Sequence, residues 1–390
     1  MPSELSKSQA DSLYTYFAGR QREILALTRA LVETESPSGD VPGSHAVVSL
    51  LAASARTIPG VMSVERVPSE KFGDHLRIRA RSRAGDTGPP IVILGHTDTV
   101  HARGSLDQRP WRVEGTKVYG PGIFDMKANC ALALEALRAC DSLDLPVQGP
   151  VVLLLTCDEE NGSPTGRSLV ETETKRARAV LVLEPPAPGG RVKTARKGTG
   201  IFRIEARGRA AHAGLEPEKG ASAVLEMARQ IVRLHAMNNT GGGTTVNVGV
   251  VHGGTLSNVV AAEAHAEVDV RFSSAAEGNW IEKEILELKP FDERVQLKVR
   301  GGINRPPLER SSKVIALYEH ARSVAMTLGF ELGETSVGGA SDGNFVGALG
   351  VAVLDGLGID GDGAHATHEH IVVDDIPRRG ALLTGLLATL

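Results

Sequence analysis

The chain has 390 residues, which is long enough for two domains that each bury a core of their own. Hydrophobic residues make up 41% of it and charged residues 23%, a composition typical of globular proteins rather than disordered or fibrous ones. The formal net charge of -4 gives no reason to expect binding to nucleic acid or to a membrane surface, and no apolar stretch is long enough to span a bilayer. Three cysteines are too few for a disulfide framework and the N-terminus lacks the apolar core of a secretory signal. We therefore expect a cytoplasmic protein, with a secreted protein whose leader has been removed as the alternative.

Two helical patterns open the chain, and short β-branched runs then alternate with further helical patterns. The helices are predicted at 11–34, 45–57, 126–139 and 164–174, and the strands at 75–81, 90–95, 150–156 and 179–184. This alternation predicts an α/β core. The almost continuous apolar character of the later strands indicates a mainly parallel central sheet.

The pattern changes from about residue 198, where apolar and polar residues alternate along each strand. These strands are predicted at 201–206, 245–250, 265–272 and 295–299, and the helices among them at 220–236 and 277–287. Such alternation predicts an antiparallel sheet with one lightly covered face, backed by two helices. We interpret 195–304 as an inserted α+β domain, between a first part of the α/β domain at 1–194 and a second part at 305–390. A helix at 312–328, a strand at 351–355 and a helix at 376–389 complete that second part.

Metal-ligand residues follow three of the strands predicted in the α/β domain. The strand predicted at 90–95 runs into His96-x-Asp98, and the strand at 150–156 is followed by Glu159-Glu160. The strand at 179–184 ends in Glu184. Because ligands bind outside the carboxyl ends of parallel strands, we expect these side chains to share one site. Adjacent carboxylates repel in a dry crevice, whereas beside a metal one can bind the ion while its neighbour acts as general base. The sequence therefore predicts a hydrolytic metal site. Each motif also has an alternative interpretation when it is considered alone. His96 and Asp98 could be a strand-end histidine beside an ordinary loop aspartate, and Glu159-Glu160 could be a solvated loop pair.

Two further segments carry possible ligands. Asp125 lies in a turn rich in glycine and proline just before a predicted helix, where its two oxygens could bridge two cations; a simple N-cap is the alternative. His365 and His368 lie on a glycine-rich loop after the last predicted strand, either as ligands or as surface residues. Together with the strand-end residues, these segments form a set that is far more specific than any of its parts.

Five motifs, taken in chain order, resemble the signature of the dinuclear zinc peptidases and deacylases: His96-x-Asp98, Gly122-x-x-Asp125-x-Lys127, Glu159-Glu160, Glu184-Pro185 and His365-x-x-x-Glu369. That family includes glutamate carboxypeptidase, acetylornithine deacetylase, succinyl-diaminopimelate desuccinylase and aminoacylase. The resemblance covers almost the whole chain and is closest to the glutamate carboxypeptidases, through 119–123, 211–214 and 374–379. The chain departs from the pattern at Ala128-Asn129, where relatives often carry two glycines.

The resemblance implies two zinc ions per subunit, bridged by the carboxylate of Asp125. One site would be completed by His96 and Glu184, and the other by Glu160 and His365, with His368 as the fallback for His365. Glu159 would be the general base that takes a proton from the attacking water between the metals, and Asp98 would be the partner of His96. The peptide bond after Asp125 would be cis. Cobalt or manganese would also suit these nitrogen and oxygen ligands.

The resemblance further implies a zinc-exopeptidase-like catalytic domain and a ferredoxin-like inserted domain that forms a homodimer and acts as a lid. His212 would reach the active site of the partner subunit and stabilise the oxyanion. The residues implied in binding the substrate are Asn258, Arg271, Arg305 and Gly339. An arginine suits a terminal carboxylate, although a cross-strand salt bridge is an equally good interpretation of Arg271.

The expected activity is hydrolysis of the amide bond to a C-terminal amino acid, with glutamate as the expected residue. The expected partners are a small peptide or N-acyl amino acid and a second copy of the chain, with no nucleic acid and no membrane. An N-acyl-amino-acid deacylase or a dipeptidase of the same family is the first alternative. A hydrolase that uses a single metal, and a catalytically silent binding or scaffold protein, are the others.

Overall fold

The computed structural model describes residues 4–80 and 88–390. Within them the α-helices are α1 (Lys7–Glu33), α2 (Val41–Ala55), α3 (Ser105–Gln108), α4 (Ala128–Ser142), α5 (Gly166–Thr174), α6 (Ala223–His235), α7 (Ala275–Leu286), α8 (Ser312–Thr327), α9 (Gly343–Ala348) and α10 (Ile376–Thr389). The strands are β1 (Val61–Ser69), β2 (Gly73–Ala80), β3 (Ile91–His96), β4 (Arg112–Glu114), β5 (Lys117–Tyr119), β6 (Val151–Thr156), β7 (Ala179–Val182), β8 (Val192–Arg196), β9 (Gly198–Arg207), β10 (Thr245–Gly253), β11 (Glu263–Phe272), β12 (Gln296–Arg305), β13 (Glu334–Val337), β14 (Val353–Leu354), β15 (Gly361–Asp362) and β16 (His370–Val372). None of the described helices combines the length and the apolar character needed to cross a membrane.

The chain divides into two compact units. The first consists of Met1–Ala195, Arg310–Val337 and Ser341–Leu390, and the second of Arg196–Glu309 and Gly338–Ala340.

A six-stranded sheet in the order β1-β2-β6-β3-β7-β14 forms the centre of the first unit. The strands β6, β3, β7 and β14 pair in parallel, whereas β1, β2 and β6 pair antiparallel. Every residue of β3, β6 and β7 is buried, which explains why these strands are apolar throughout rather than alternating. The predicted α/β core with a mainly parallel sheet is confirmed.

The sequence-based elements differ from the structure at the edges of this sheet. Strand β1 was not predicted, because its apolar residues Val61, Val64 and Val67 recur every third position and most of the strand is exposed at the sheet edge. The strand predicted at 351–355 shortens to Val353–Leu354. The strand predicted at 75–81 begins earlier, at Gly73, and its last residue lies outside the described part of the chain.

The second unit is a four-stranded antiparallel sheet in the order β10-β11-β9-β12, which α6 and α7 contact. Side chains along β11 alternate between buried and accessible positions, and the buried ones, such as Val268 and Val270, join a core that also contains Phe202 and Ile281. This agrees with the predicted α+β arrangement, in which one face of the sheet is covered by two helices.

The register of the parallel strands sets where the candidate ligands begin. His96, the last residue of β3, pairs with Thr156 of β6, and Leu94 pairs with Val182 of β7. The residues that follow these strands therefore leave the sheet at one level, on its carboxyl edge. Ligands of open α/β sheets lie at that edge.

Candidate metal centre

Three strand ends and two loops of the first unit supply the side chains of the site. His96 ends β3, the turn Glu159–Asn161 follows β6, and Glu184 comes two residues after β7. Asp125 lies in the segment Ile123–Lys127, whose backbone is not helical at Asp125, and the peptide bond after Asp125 is cis. The cis bond confirms what the family resemblance implied.

The donor atoms form two sets that share the carboxylate of Asp125. Its Oδ1 lies 3.1 Å from Nε2 of His96, which is 3.6 Å from Oε1 of Glu184. Its Oδ2 lies 3.3 Å from Nε2 of His365, which is 3.3 Å from Oε2 of Glu160. The structure thus brings together the five residues predicted as ligands, and it is His365, the first imidazole of its loop, that contacts Asp125 and Glu160.

These spacings fit divalent cations. Ligand atoms bound at about 2.0–2.1 Å to one tetrahedral zinc ion are about 3.3 Å from each other, close to the distances measured here. Donor atoms of His96, Glu159 and Glu184 lie within 4.8 Å of one another, as do those of His96, Asp125 and Glu160. Moreover, Oε1 of Glu160 is buried and has no hydrogen-bond partner among the residues that the structure describes. A buried carboxylate oxygen of this kind needs a cation or a donor.

Without a metal, the two imidazoles act as the cations of the site. Hydrogen bonds with Asp125 and Glu160 raise the pKa of His365 to about 10. Burial lowers the pKa of His96, but hydrogen bonds with Asp125 and Asp98 outweigh burial and raise it well above the ordinary value. Burial raises the pKa of Glu160, and the hydrogen bond with His365 offsets this increase only in part. A metal that binds here must therefore displace protons from the imidazoles.

Asp98 connects the His96 ligand to the Glu159–Glu160 turn. Nδ1 of His96 lies 2.9 Å from the backbone oxygen of Asp98 and 3.5 Å from its carboxylate. Because a carbonyl oxygen only accepts, Nδ1 donates to it. In the metal-free protein Nε2 donates to Asp125, and loss of that proton would leave the Nε2 lone pair for a metal. The carboxylate of Asp98 accepts the backbone N–H of Glu159 at 3.2 Å and of Glu160 at 3.1 Å. Asp98 therefore contacts His96 as expected and also holds the turn of the predicted general base, a role that the sequence did not suggest.

His365 has a strained backbone. Its φ is +64°, in the left-handed region that is costly for residues other than glycine. Gly363, two residues earlier, has a φ of +81°. The loop is thus folded into a conformation that turns the imidazole toward Asp125.

Lys127 follows Asp125 closely in sequence but does not neutralise it. Its ammonium donates to the carbonyl oxygens of Leu31 and Thr34, at 2.9 and 2.8 Å, and burial lowers the pKa of Lys127 to about 8. Lys127 therefore links the start of α4 to the end of α1 through these two hydrogen bonds.

Asn129 occupies one of the two positions at which the chain departs from the family pattern. Its side chain is buried, donates to the carbonyl of Phe124 and accepts the N–H of Ile359. If residue 358 were alanine, its Cβ would lie 2.3 Å from the amide nitrogen of Asn129, which is too close. The Asn129 side chain therefore packs directly against the backbone of Gly358. The departure thus replaces a glycine by a side chain that supports the loop beside Glu184.

The remaining predicted residues lie in the second unit. His212 is exposed, and its Nδ1 accepts backbone N–H groups of Gly214 at 3.2 Å and Leu215 at 3.1 Å. The neutral ring therefore carries its proton on Nε2, which is left as a donor. The carbonyl of Asn258 accepts the N–H of Ala213, at 2.9 Å, so these two predicted segments are neighbours.

Arg271 and Gly339, two of the other residues predicted to bind substrate, form contacts within the second unit, and Arg305 is buried there. The guanidinium of Arg271 binds both carboxylate oxygens of Asp269 at 2.8 Å, so Arg271 does form a salt bridge, although along its own strand rather than across strands. Arg305 is buried at the end of β12. The carbonyl of Gly339 accepts from Arg196, a buried arginine that the sequence had not suggested, at 3.1 Å.

Comparisons with known proteins are consistent with this geometry. The sequence profile of peptidase family M20/M25/M40 matches residues 92–389. Carboxypeptidase G2 of Pseudomonas sp. (strain RS-16) is 27% identical over 386 residues, which cover 96% of this chain and 91% of that protein. Succinyl-diaminopimelate desuccinylase of Thioalkalivibrio sulfidiphilus is 27% identical over 330 residues, which cover 79% of this chain and 85% of that protein. The crystal structure of aminopeptidase PepT from Bacillus cereus has a TM-score of 0.74 at 21% identity, covers 94% of this chain and 98% of its own, and shows a shared fold.

The protonation of His365 can be measured in the metal-free protein. Since folding raises the pKa of His365 to about 10, its protonation stabilises the folded protein fully below about pH 6.5, and this contribution is lost as the pH rises through about 10. We expect the ring to titrate near pH 10 by NMR, and Glu160→Gln to lower the midpoint because one of two neighbouring anions is removed. A wild-type midpoint near 6.5 would contradict the geometry of this cluster.

Proposed function

Because the chain belongs to peptidase family M20/M25/M40, we propose that it is a dinuclear zinc hydrolase that cleaves the amide bond to a C-terminal amino acid, preferentially glutamate. The broader activity follows from the family, whose members named above include a carboxypeptidase and a desuccinylase; the chain is an enzyme that acts on amide bonds. The observation that carries the dinuclear proposal is the carboxylate of Asp125, whose two oxygens each face a separate imidazole.

The residues around Asp125 have distinct tasks in this proposal. His96 and Glu184 would hold one ion and Glu160 and His365 the other, with Asp125 shared between them. When bound, two divalent cations polarise the scissile carbonyl and make water a better nucleophile at neutral pH.

Glu159 would act as general base and then as general acid. It would take the proton from the attacking water and deliver it to the nitrogen of the leaving amine. Two features support this role: its carboxylate lies with the donor atoms of His96 and Glu184, and its backbone N–H is held by Asp98. Its side chain is therefore near the ligands while its backbone is fixed.

We propose that His212 donates Nε2–H to the oxyanion of the partner subunit's substrate in a homodimer formed by the second unit. The tautomer that Gly214 and Leu215 impose on His212 leaves the proton on the nitrogen this role requires. The unit also has an edge strand, β10, on which Val250 and Val251 are 40% and 53% exposed. An exposed apolar edge strand favours pairing with another chain.

Recognition of a C-terminal carboxylate would fall to Arg271 and Asn258, with Arg305 and Gly339 as further candidates. Asp269 engages Nε and Nη2 of Arg271, and Nη1 still offers donors for a substrate carboxylate. An N-acyl-amino-acid deacylase or dipeptidase would use the same metal chemistry with a different pocket. A silent scaffold would have lost a ligand or the base, and all six of those residues are present.

A substrate panel tests the proposed activity. We expect the zinc-loaded protein to hydrolyse N-acyl-glutamate and folate, with chelator sensitivity, and to cleave N-acetylornithine, N-acetylmethionine and a neutral dipeptide much more slowly. The physical reason is that only the glutamate substrates combine a free carboxylate beside the amide with an acidic side chain. Faster cleavage of another substrate would replace the glutamate preference by one of the alternatives. Hydrolysis that persists in chelator would contradict the metal mechanism.

Replacement of the base should separate catalysis from metal binding. We expect Glu159→Ala to lower kcat by about 10²–10⁴-fold, the contribution typical of a general base, with metal content close to that of the wild type. Glu171→Ala on α5 is the control, because this partly exposed carboxylate pairs only with Arg167 in the contacts described. Normal turnover of Glu159→Ala would show that the base is another group.

The role of His212 across subunits can be tested by mixing. His212→Ala should be nearly inactive but retain its metal, since it loses only the oxyanion donor. Mixing it with Glu159→Ala should restore activity, because each mixed dimer assembles one site from an intact Glu159 and the other subunit's intact His212. Failure of rescue after verified subunit exchange would rule out the role in trans.

A further inference from the structure

A chain of polar side chains, buried at His101 and Glu369, contacts the loop that carries Asp125. Nη1 of Arg109 is 3.3 Å from Nδ1 of His101, and Nε2 of His101 is 2.5 Å from Oε2 of Glu369. The side chains of His101 and Glu369 are only 7% and 1% exposed. Neither residue is among the predicted ligands or bases, and Glu369 entered the sequence motif only through its spacing from His365.

The direction of the hydrogen bonds in this chain is fixed by chemistry. A guanidinium can only donate, so Nδ1 of His101 accepts from Arg109. The neutral ring therefore carries its proton on Nε2 and donates it to Glu369. Arg109 thereby sets the tautomer of His101, and His101 in turn supplies a donor to a buried carboxylate.

The carboxylate of Glu369 accepts hydrogen bonds from three backbone N–H groups of the Asp125 loop. Its Oε2 accepts the N–H of Gly122 at 2.8 Å, and its Oε1 accepts those of Phe124 at 2.9 Å and Asp125 at 3.0 Å. These are N–H groups of an irregular turn that begins at Gly122, whose φ is +70° and which has no side-chain cap. With His101, four donors converge on one anion, which makes this buried charge tolerable and the turn stiff.

Glu369 also belongs to the loop that carries the other imidazole. It comes four residues after His365, and its backbone oxygen accepts the N–H of Gly120 at 3.4 Å. The next residue, His370, pairs with Tyr119 between β16 and β5, and the two rings lie 5.0 Å apart. One side chain thus joins the loop of Asp125 to the loop of His365, the two residues whose side chains meet at 3.3 Å.

We propose that Glu369, oriented by His101 and Arg109, is a positioning residue that sets the distance between Asp125 and His365 and thereby the affinity for divalent metal. This inference rests on the proposed function, because it assumes that Asp125 and His365 bind a metal. Glu369 does not touch the ligand atoms; it acts through the backbone of the Asp125 turn and through its own loop. Replacing a residue that orients a metal ligand through hydrogen bonds typically weakens metal binding by about 10–100-fold.

The test is the zinc affinity of the full-length protein, measured by competition with a chelator. We expect Glu369→Gln to weaken zinc binding by about 10–100-fold, because an amide presents a donor to N–H groups that need an acceptor. Glu135→Gln is the matched control. Glu135, like Glu369, is a buried carboxylate with a cationic or imidazole partner, in its case Arg20, but it lies on α4 without a contact to either loop in the hydrogen bonds described. It should lower thermal stability and leave zinc affinity unchanged.

A second pair of variants keeps the test informative if Glu369→Gln folds poorly. His101→Gln retains a side-chain N–H for Glu369 and should keep most of the zinc affinity, whereas His101→Leu removes the donor and should lose it. Wild-type affinity in both Glu369→Gln and His101→Leu would overturn the positioning role. Equal losses of affinity in Glu369→Gln and Glu135→Gln would overturn it too, since they would reflect general destabilisation. If the wild-type protein itself bound no divalent metal, the proposed function would fail first, and the positioning role with it.

Discussion

The carboxylate of Asp125 contacts an imidazole with each of its oxygens, and the rest of the site is arranged to make this double contact possible. His96 arrives on a strand and His365 on a loop more than two hundred residues later in the chain. Glutamates from two further strand ends complete the two sets. A shared anion between two sets of donors can be satisfied by two cations at once, so the position of Asp125 decides whether the site is dinuclear.

Burial of so many carboxylates is tolerable only when every anion has donors or cations. Asp98 and Glu369 resolve this with backbone N–H groups: Asp98 binds those of the Glu159–Glu160 turn and Glu369 those of the Asp125 turn. The carboxylates proposed as ligands instead face the two imidazoles, Asp125 and Glu184 at His96, and Asp125 and Glu160 at His365. The buried carboxylates therefore divide into those that hold the backbone and those proposed to bind metal, and the backbone N–H partners distinguish the two kinds.

Much of the first unit could be predicted from sequence because its signals are local. Fully apolar runs predicted β3, β6 and β7, and the ligand types at their ends predicted a metal site, since the carboxyl ends of parallel strands converge. The role of Asp98 toward the Glu159 turn, the arginine–histidine–glutamate chain and the packing of Asn129 could not be predicted this way. Each depends on a contact between residues far apart in sequence, and a lone His101 or Asn129 gives no periodic signal. For Arg271 a salt bridge was predicted across strands, but its partner is Asp269, two residues away on the same strand.

Diffraction from zinc-loaded crystals at the zinc absorption edge tests the dinuclear site most directly. We expect two anomalous peaks about 3.5–4 Å apart, one on each side of the Asp125 carboxylate, with His96 and Glu184 at one peak and Glu160 and His365 at the other. A single peak, or two peaks that do not share Asp125, would contradict the dinuclear site.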